Sequence, residues 1–511
     1  VTSATTAPQH PASSAAVDYI VVQAGGKGTR LEHLTANKPK ALVPVENLPM
    51  LFHLFRQFPD KRFVIIADYH REVLREYLAS FAEVDYQVVD ASGGGTCGGV
   101  GQALELIPAD APFMLVWSDL ILPTTFELPA EAGDYIGISQ TFECRWSYRD
   151  GELVEERSTE RGVAGLFVLR DAAVLKDVPE SGELVRWMQQ QGLTFTELGL
   201  AGTREFGLLS EYRALPQLKV RPFNRMTVAG DRVIKEAIDE QGRKLATDER
   251  AWYEYAAAHG VAGIPVVHDT HPLVLERIDG GNVYEYGDLS RDAKRGILTD
   301  LSEALTRLHE IETVPADSFS LKDAYFSKTM DRLSRIRDLV PFADQRTITV
   351  NGRQCRNVYF HQRDLERALD ALRCERFTFI HGDCTFSNLM LRGGTEPVLI
   401  DPRGYFGHTK LFGDPNYDWA KLYYSVVGNY DRFNLREFRL GIGDEVSLEI
   451  VSNRWEELED DFFALSGADR RTIKLLHAVI WLSLTTYAWQ DYDSVCGAFY
   501  NGLYHLEGAL G

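Results

Sequence analysis

The sequence predicts an α/β domain on a mixed, mostly parallel sheet, followed by a two-lobed α+β domain with a small β-rich lobe and a large helical one. Three observations carry this. The 511 residues, at roughly 100 to 200 per domain, allow about two to four domains. From Asp18 to about residue 170, apolar β-branched runs alternate with helical periodicity, the pattern of a doubly wound sheet. Near Lys219 the pattern changes to short strands around a tight turn, then to a long, mainly helical and aromatic stretch.

The first 16 residues, VTSATTAPQHPASSAA, are small and polar and lack the basic start and apolar stretch of a signal peptide, so they predict a disordered tail. Residues 17–219 then read as the first domain. Its strand-like runs are DYIVVQ at its start, RFVIIADY (62–69), VDYQVVDA (84–91), FMLVWSD (113–119), DYIGISQ (134–140) and VAGLFVL (163–169). Residues 220–282 form the β-rich lobe, with a hairpin turning at Ala229, Gly230 and Asp231 and a helix across LATDERAWYEYAAAHG. Residues 283–511 form the helical lobe, interrupted by one strand-like stretch around residue 400. The apolar run from Leu475 to about Trp489 is too short to span a bilayer and contains His477, Ser483, Thr485 and Thr486, so it predicts a buried helix.

Subtracting 74 acidic from 54 basic residues leaves a net charge of −20, which repels nucleic-acid backbones and anionic lipid. Extended nucleic acid and a membrane span are excluded as partners; small-molecule substrates are expected, and a homo-oligomer is compatible with the composition. Any phosphate site must be a local basic pocket. The six cysteines are scattered, with no CxxC spacing, which predicts a reduced, cytoplasmic protein without structural zinc.

Such a pocket is written in AGGKGTRL, residues 24–31, directly after the first strand. Glycines let backbone amides approach a triphosphate and form an anion nest. Lys27 and Arg30 lie within the loop, and NKPKALVPV adds Lys38 and Lys40 just beyond it. These motifs closely resemble the sugar-phosphate and phosphocholine nucleotidyltransferases, with their GxGTRL loop and KPKxLxPV segment. The resemblance implies a Rossmann-like nucleotidyltransferase domain in which Ala24, Gly25, Gly26, Lys27, Gly28, Thr29 and Lys38 bind the nucleotide. Lys40 and Arg30 would act at the α-phosphate. It further implies Mg²⁺ on Asp119, at the end of FMLVWSD, and on Glu205 of REFGLLSEY, where the family usually has Asp. The loop SGGGTCGGVGQAL (92–104), with Thr96 and Gln102, would read the base.

A second constellation begins at HGDCTFSN, residues 381–388, which sets Asp383 five residues before Asn388; PVLID then ends in Asp401. A γ-phosphoryl transfer needs a carboxylate to deprotonate the acceptor hydroxyl, and a second carboxylate with an amide oxygen to hold metal. Upstream, Lys235 of DRVIKEA is placed to meet the α and β phosphates of ATP, with Glu249 as its ion-pair partner and Glu254 as the alternative. PLVLERIDG (272–280), containing Glu276, reads as the strand and hinge that meet adenine. This half resembles the aminoglycoside phosphotransferase and choline kinase family, which implies a bilobal protein-kinase-like α+β fold. In DPRGYFG, Arg403 departs from the choline kinase pattern and disfavours a quaternary ammonium. Asp418, Trp419 and Trp489 lie in aromatic, acidic stretches expected to shape the acceptor pocket, and these suit a cationic amino alcohol instead.

The two halves together predict a bifunctional enzyme. Its kinase would phosphorylate a small metabolite with ATP, and its first domain would transfer CMP from CTP to the phosphorylated or phosphonate product. Two alternatives stay open: a sugar kinase joined to a uridylyl- or thymidylyltransferase, and one half acting as a nucleotide-binding pseudoenzyme.

Overall fold

The computed structural model describes residues 17–131, 133–213, 215, 224–238 and 240–511. The tail 1–16 and the boundary expected at 219/220 lie outside the described residues. The chain divides into two compact units, residues 1–216 and 217–511.

The first unit is built on a nine-stranded mixed sheet. Its centre is parallel, in the order β3-β2-β1-β4, where β1 is Tyr19–Gln23, β2 Arg62–Ala67, β3 Asp85–Asp90 and β4 Phe113–Trp117. Ile20, Val21 and Val22 of β1 are all buried, as a strand covered on both faces requires. The connecting helices α1 (Met50–Gln57) and α2 (Arg71–Phe81) bury Leu51, Leu54 and Phe55, and Leu74, Tyr77 and Leu78. Beyond β4 the winding changes. β6 (Gly162–Leu169) runs antiparallel to β4 and to β5 (Tyr135–Ser139), and β7 (Thr196–Gly199) runs parallel to β5. Gly165, at the bulge in β6, has φ 84°, and a Cβ there would lie 1.9 Å from the Trp117 ring, so only glycine fits.

β1 and β4 are parallel with Gln23 opposite Trp117, so the loop after β1 and Asp119 after β4 leave the sheet at the same edge. This registers the glycine loop against the carboxylate although about ninety positions separate them.

The second unit opens with an antiparallel sheet in the order β8-β9-β11-β10: β8 Asn224–Ala229, β9 Arg232–Ala237, β10 Val267–Thr270 and β11 Leu273–Glu276. Gly230, with φ 63°, turns the expected hairpin. Helix α3 (Glu240–Ala258) follows. The helical lobe contains α4 (Arg291–Glu310), α5 (Lys328–Arg335), α6 (Pro415–Val426), α7 (Arg470–Leu484) and α8 (Tyr492–Leu510). The strand-like stretch around residue 400 is the hairpin of β12 (Leu389–Arg392) and β13 (Glu396–Leu399). This lobe also holds a four-stranded sheet of Thr347–Val350, Arg353–Arg356, Phe438–Ile442 and Val446–Ile450, which the helical reading of the region did not include. Its first hairpin turns at Asn351-Gly352, φ 48° and 72°, the pair that suits a two-residue turn with both residues left-handed. Among the described residues no helix is long and apolar enough to cross a membrane.

α7 buries His477, whose Nε2 accepts a hydrogen bond from Trp481 Nε1 at 2.9 Å and whose ring lies 4.4 Å from that of His505. Burial pushes His477 well below the ordinary imidazole range and His505 down to about 4. Unfolded, both rings take up protons near pH 6.5, so below that pH the unfolded chain binds more protons and stability falls. Thermal melts should show Tm dropping from pH 6.5 toward pH 4.5. His505→Gln should flatten that drop, removing at most about 1.4 kcal/mol of pH dependence per pH unit.

Candidate active sites

The loop after β1 is fixed by backbone contacts. Ala24 N donates to Ile66 O at 3.0 Å, and Lys40 N donates to Gly26 O at 3.2 Å, folding the KPK segment back onto the glycines. Gly28 has φ 61°, and the Lys40 side chain packs where its Cβ would be, 3.1 Å away. Gly26, Lys27, Thr29 and Arg30 remain exposed, whereas Lys38 and Lys40 are buried. The Lys27 ammonium lies 5.5 Å from the Tyr69 ring.

Lys40 Nζ forms an ion pair with Asp119 Oδ2. The other oxygen of Asp119, Oδ1, is buried with no hydrogen-bond partner. Glu205 comes to the same edge: it pairs with Leu120 across a short antiparallel bridge, and Phe206 N donates to Asp119 O at 3.3 Å. Glu205 Oε1 and Arg30 Nη2 both lie against Gly207, 2.9 and 3.2 Å from where a Cβ would stand. Burial, then the charges of Glu205 and Asp119, push the nearby Cys144 thiol up to about 12. The structure therefore brings Arg30, Lys40, Asp119 and Glu205 together from four places in the chain. Two carboxylates with an unpartnered buried oxygen suit Mg²⁺, which takes one or two protein carboxylates and completes its shell with phosphate and water. Among the described residues no group of three or more His, Cys, Asp or Glu could hold a metal alone.

Thr96 and Gln102 sit in the expected base loop, but both side chains are already hydrogen-bonded within the protein. Thr96 Oγ1 accepts from Leu184 N at 2.8 Å, its carbonyl accepts from Gln23 Nε2 at 2.6 Å, and Gln102 Nε2 donates to Ser92 Oγ.

In the second unit, Lys235 on β9 lies 2.6 Å from Glu249 Oε1 on α3 and 2.7 Å from Asp401 Oδ1. Burial disfavours the ammonium, but Asp401 and Glu249 outweigh it and hold the pKa above the ordinary lysine range. Glu254 is exposed. Asn388 Nδ2 donates to Asp383 Oδ2 at 2.9 Å and to Asp383 O at 3.0 Å. Asp383 Oδ1 is 3.0 Å from Lys421 Nζ; burial opposes its charge, but Lys421 and Arg403 hold it below the usual carboxylate range. Asp401 has φ 54°, a rare conformation for a residue with a side chain. Lys235, Glu249, Asp383, Asn388 and Asp401 line one cavity of about 320 Å³. The Asn388 amide and the Asp401 carboxylate, which rests against Lys235, suit Mg²⁺ shared with a nucleotide's phosphates. Cys384, beside Asp383, is wholly buried, and burial with Asp418 and Asp383 pushes its thiol well above the ordinary range.

Glu276 stands elsewhere. Its carboxylate takes Arg392 Nη2 at 3.0 Å on both oxygens and Val266 N at 3.1 Å, tying β11 to β12. Of the residues expected to shape the acceptor pocket, Arg403 lines the cavity and Asp418, Trp419 and Trp489 do not. Trp419 packs against His309 and Phe462. Asp418 lies behind the loop 381–388: its Oδ1 accepts from Gly382 N at 2.7 Å, and its Oδ2 accepts from His381 N at 2.8 Å and sits 3.0 Å from His309 Nε2. The face of α6 that does meet the cavity carries Tyr417, Lys421 and Tyr424, at spacings of four and three. That helical period was the available signal for Lys421. Lys328, Arg332 and Tyr405 also line the cavity, and no local motif marks them.

Residues 19–129 match the family described as Nucleotidyl transferase, and residues 223–444 match the Phosphotransferase enzyme family. The UTP–glucose-1-phosphate uridylyltransferase AglF of Haloferax volcanii is 42% identical over 60 residues, 11% of this chain and 25% of that protein. Glucose-1-phosphate cytidylyltransferase of Salmonella typhimurium is 38% identical over 64 residues, 12% of this chain and 25% of that protein. The chain thus spans about a quarter of the length of these curated relatives. The solved inositol-1-phosphate CTP transferase of T. maritima aligns with 17% identity and a TM-score of 0.32, covering 38% of this chain and 91% of that one.

Asp418 predicts a measurable cost. Asp418→Ala would strand two backbone amides and an imidazole in the interior and should destabilise the second unit by about 3 kcal/mol in denaturant unfolding of the full chain. Asp418→Asn, which keeps one acceptor oxygen, should lose less. A loss in Asp418→Ala of under about 1 kcal/mol would show that the loop is held by other contacts.

Proposed function

Because the chain joins a nucleotidyl transferase domain to a domain of the phosphotransferase enzyme family, we propose that it is a bifunctional enzyme that makes and then activates a phosphorylated metabolite. The observation that carries this reading is that each half assembles its own buried lysine–carboxylate centre, Lys40 with Asp119 in the first and Lys235 with Glu249 and Asp401 in the second, the latter lining a cavity of about 320 Å³.

In the second domain, Asp383 accepts the proton of an acceptor hydroxyl as its oxygen attacks the γ-phosphorus of ATP. The bond to the β,γ-bridging oxygen breaks and ADP leaves. Lys235 meets the α and β phosphates, and Asn388 with Asp401 would hold Mg²⁺, which neutralises phosphate charge. In the first domain, a phosphate or phosphonate oxygen of the product attacks the α-phosphorus of CTP and pyrophosphate leaves. The loop Gly25–Gly28 offers backbone amides to the triphosphate, Lys40 and Arg30 stabilise charge developing at the α-phosphate, and Asp119 with Glu205 would hold the cation. Joining the two steps in one chain raises the local concentration of the intermediate.

CTP is supported by the motif resemblance and by the match to a cytidylyltransferase. A second reading, UTP with a sugar 1-phosphate, is favoured by the match to AglF. Pyrophosphate release measured with CTP, UTP, dTTP, ATP and GTP in turn separates them, with CTP expected to exceed the others at least tenfold. Lys40→Ala should lower pyrophosphate release by about 10² to 10³ and leave ADP formation unchanged. Asp383→Ala should lower ADP formation by about 10² to 10⁴ and leave pyrophosphate release unchanged. If Asp383→Ala forms ADP at the parental rate, Asp383 is not the base.

A further inference from the structure

The cavity around Asp383 gathers more cations than its own carboxylates pair with. Lys328 and Arg332 stand four residues apart on α5, so they share one face, and both line the cavity. Arg403 joins them from the loop after Asp401, and Lys421 from α6. Lys421 has Asp383 as its counter-ion. Among the described residues, Lys328, Arg332 and Arg403 form no ion pair. They rest against aromatic rings instead: Lys328 lies 5.8 Å and Arg403 5.7 Å from Tyr405, and Arg332 lies 5.9 Å from Tyr487. Arg332 also donates to Ser483 O and Oγ at 2.6 and 2.7 Å, which aims the guanidinium without neutralising it.

Like charges four apart on a helix repel, and partial burial adds a desolvation cost. The effect registers on Lys328: burial, then Arg332 and Arg403, push its ammonium below the ordinary range. A cavity that gathers three such groups is costly unless an anion offsets them. The nucleotide's own phosphates are served elsewhere, by Lys235 with Asp401 and Asn388. The carboxylate that acts most on Arg403 is Asp383, which puts Arg403 beside the group that receives the acceptor's proton, in the cavity that Lys328 and Arg332 also line.

We propose that the acceptor phosphorylated in this cavity is a small hydroxylated oxyanion, a carboxylate, phosphate or phosphonate, whose charged group is held by Lys328, Arg332 and Arg403 while its hydroxyl faces Asp383. This rests on the reading of the second domain as a kinase. It excludes choline and similar quaternary ammonium acceptors, which the three cations repel.

The test titrates the full chain by calorimetry, with the ATP analogue AMP-PNP present, using glycerol 3-phosphate, glycerate, 2-hydroxyethylphosphonate, glycerol and choline. At least one oxyanion should bind tenfold or more tightly than glycerol and choline. Lys328→Gln and Arg332→Gln should each weaken that oxyanion at least tenfold while changing the AMP-PNP Kd less than threefold, and Arg332→Lys should recover part of the loss. The proposal is overturned if no oxyanion binds, if choline or glycerol binds as well, or if the variants weaken AMP-PNP instead. ADP formation is read separately. An oxyanion that binds in this way but yields no ADP in any condition sinks the kinase reading and leaves the oxyanion site standing. ATP-dependent phosphorylation of choline does the reverse.

Discussion

A charge taken out of water must meet an opposite charge or several hydrogen bonds, and this constraint organises both halves of the protein. Three buried lysines satisfy it with carboxylates from other elements of the fold: Lys40 with Asp119, Lys235 with Glu249 and Asp401, and Lys421 with Asp383. Each pair crosses between separate elements, so it is a tie in the fold as well as a piece of chemistry. Removing one partner would leave the other stranded. In a chain of net charge −20, such pairs also explain how cationic centres persist in an acidic molecule.

The scaffold then decides where the pairs form. Parallel pairing of β1 with β4 brings the glycine loop and Asp119 to one edge, and the bridge at Glu205 adds the second carboxylate there. In the second unit the corresponding task falls to Asp418. It does no chemistry on a substrate, but it accepts the amides of His381 and Gly382 and so fixes the turn that presents Asp383.

Much of this was legible in the sequence where function is written locally. The glycine loop with KPK stands at a short fixed spacing because one strand-to-loop transition carries it, and Asp383, Asn388 and Asp401 do so because only the short hairpin β12–β13 separates the loop of the first two from the third. Lys235 and Glu249 were found because strand and helix follow one another directly. What escaped was set by tertiary packing. Asp418 and Trp419 fall in an aromatic, acidic stretch that suggests the acceptor pocket, yet a helix turns neighbours away from one another and shows residue 421 on the face of residue 417. Lys328 and Arg332 sit in a helix with no motif, and only folding brings them to Asp383. Glu276 was read as a nucleotide contact, whereas Arg392 on a neighbouring strand claims its carboxylate. The sheet of the helical lobe announced itself only through Asn351-Gly352, a strong turn signal inside a region read by its helical periodicity.

Each centre also places a cysteine beside its carboxylates, Cys144 near Glu205 and Asp119 and Cys384 next to Asp383. Burial first, and then the negative charges that prepare these sites for a cation, suppress ionisation of the neighbouring sulfur. With the Cys144 pKa pushed up to about 12, only ~10⁻⁵ of it is thiolate at neutral pH. Oxidants and alkylating agents attack the thiolate, so the burial and negative field that hold these candidate sites together also shield the sulfurs beside them from electrophiles.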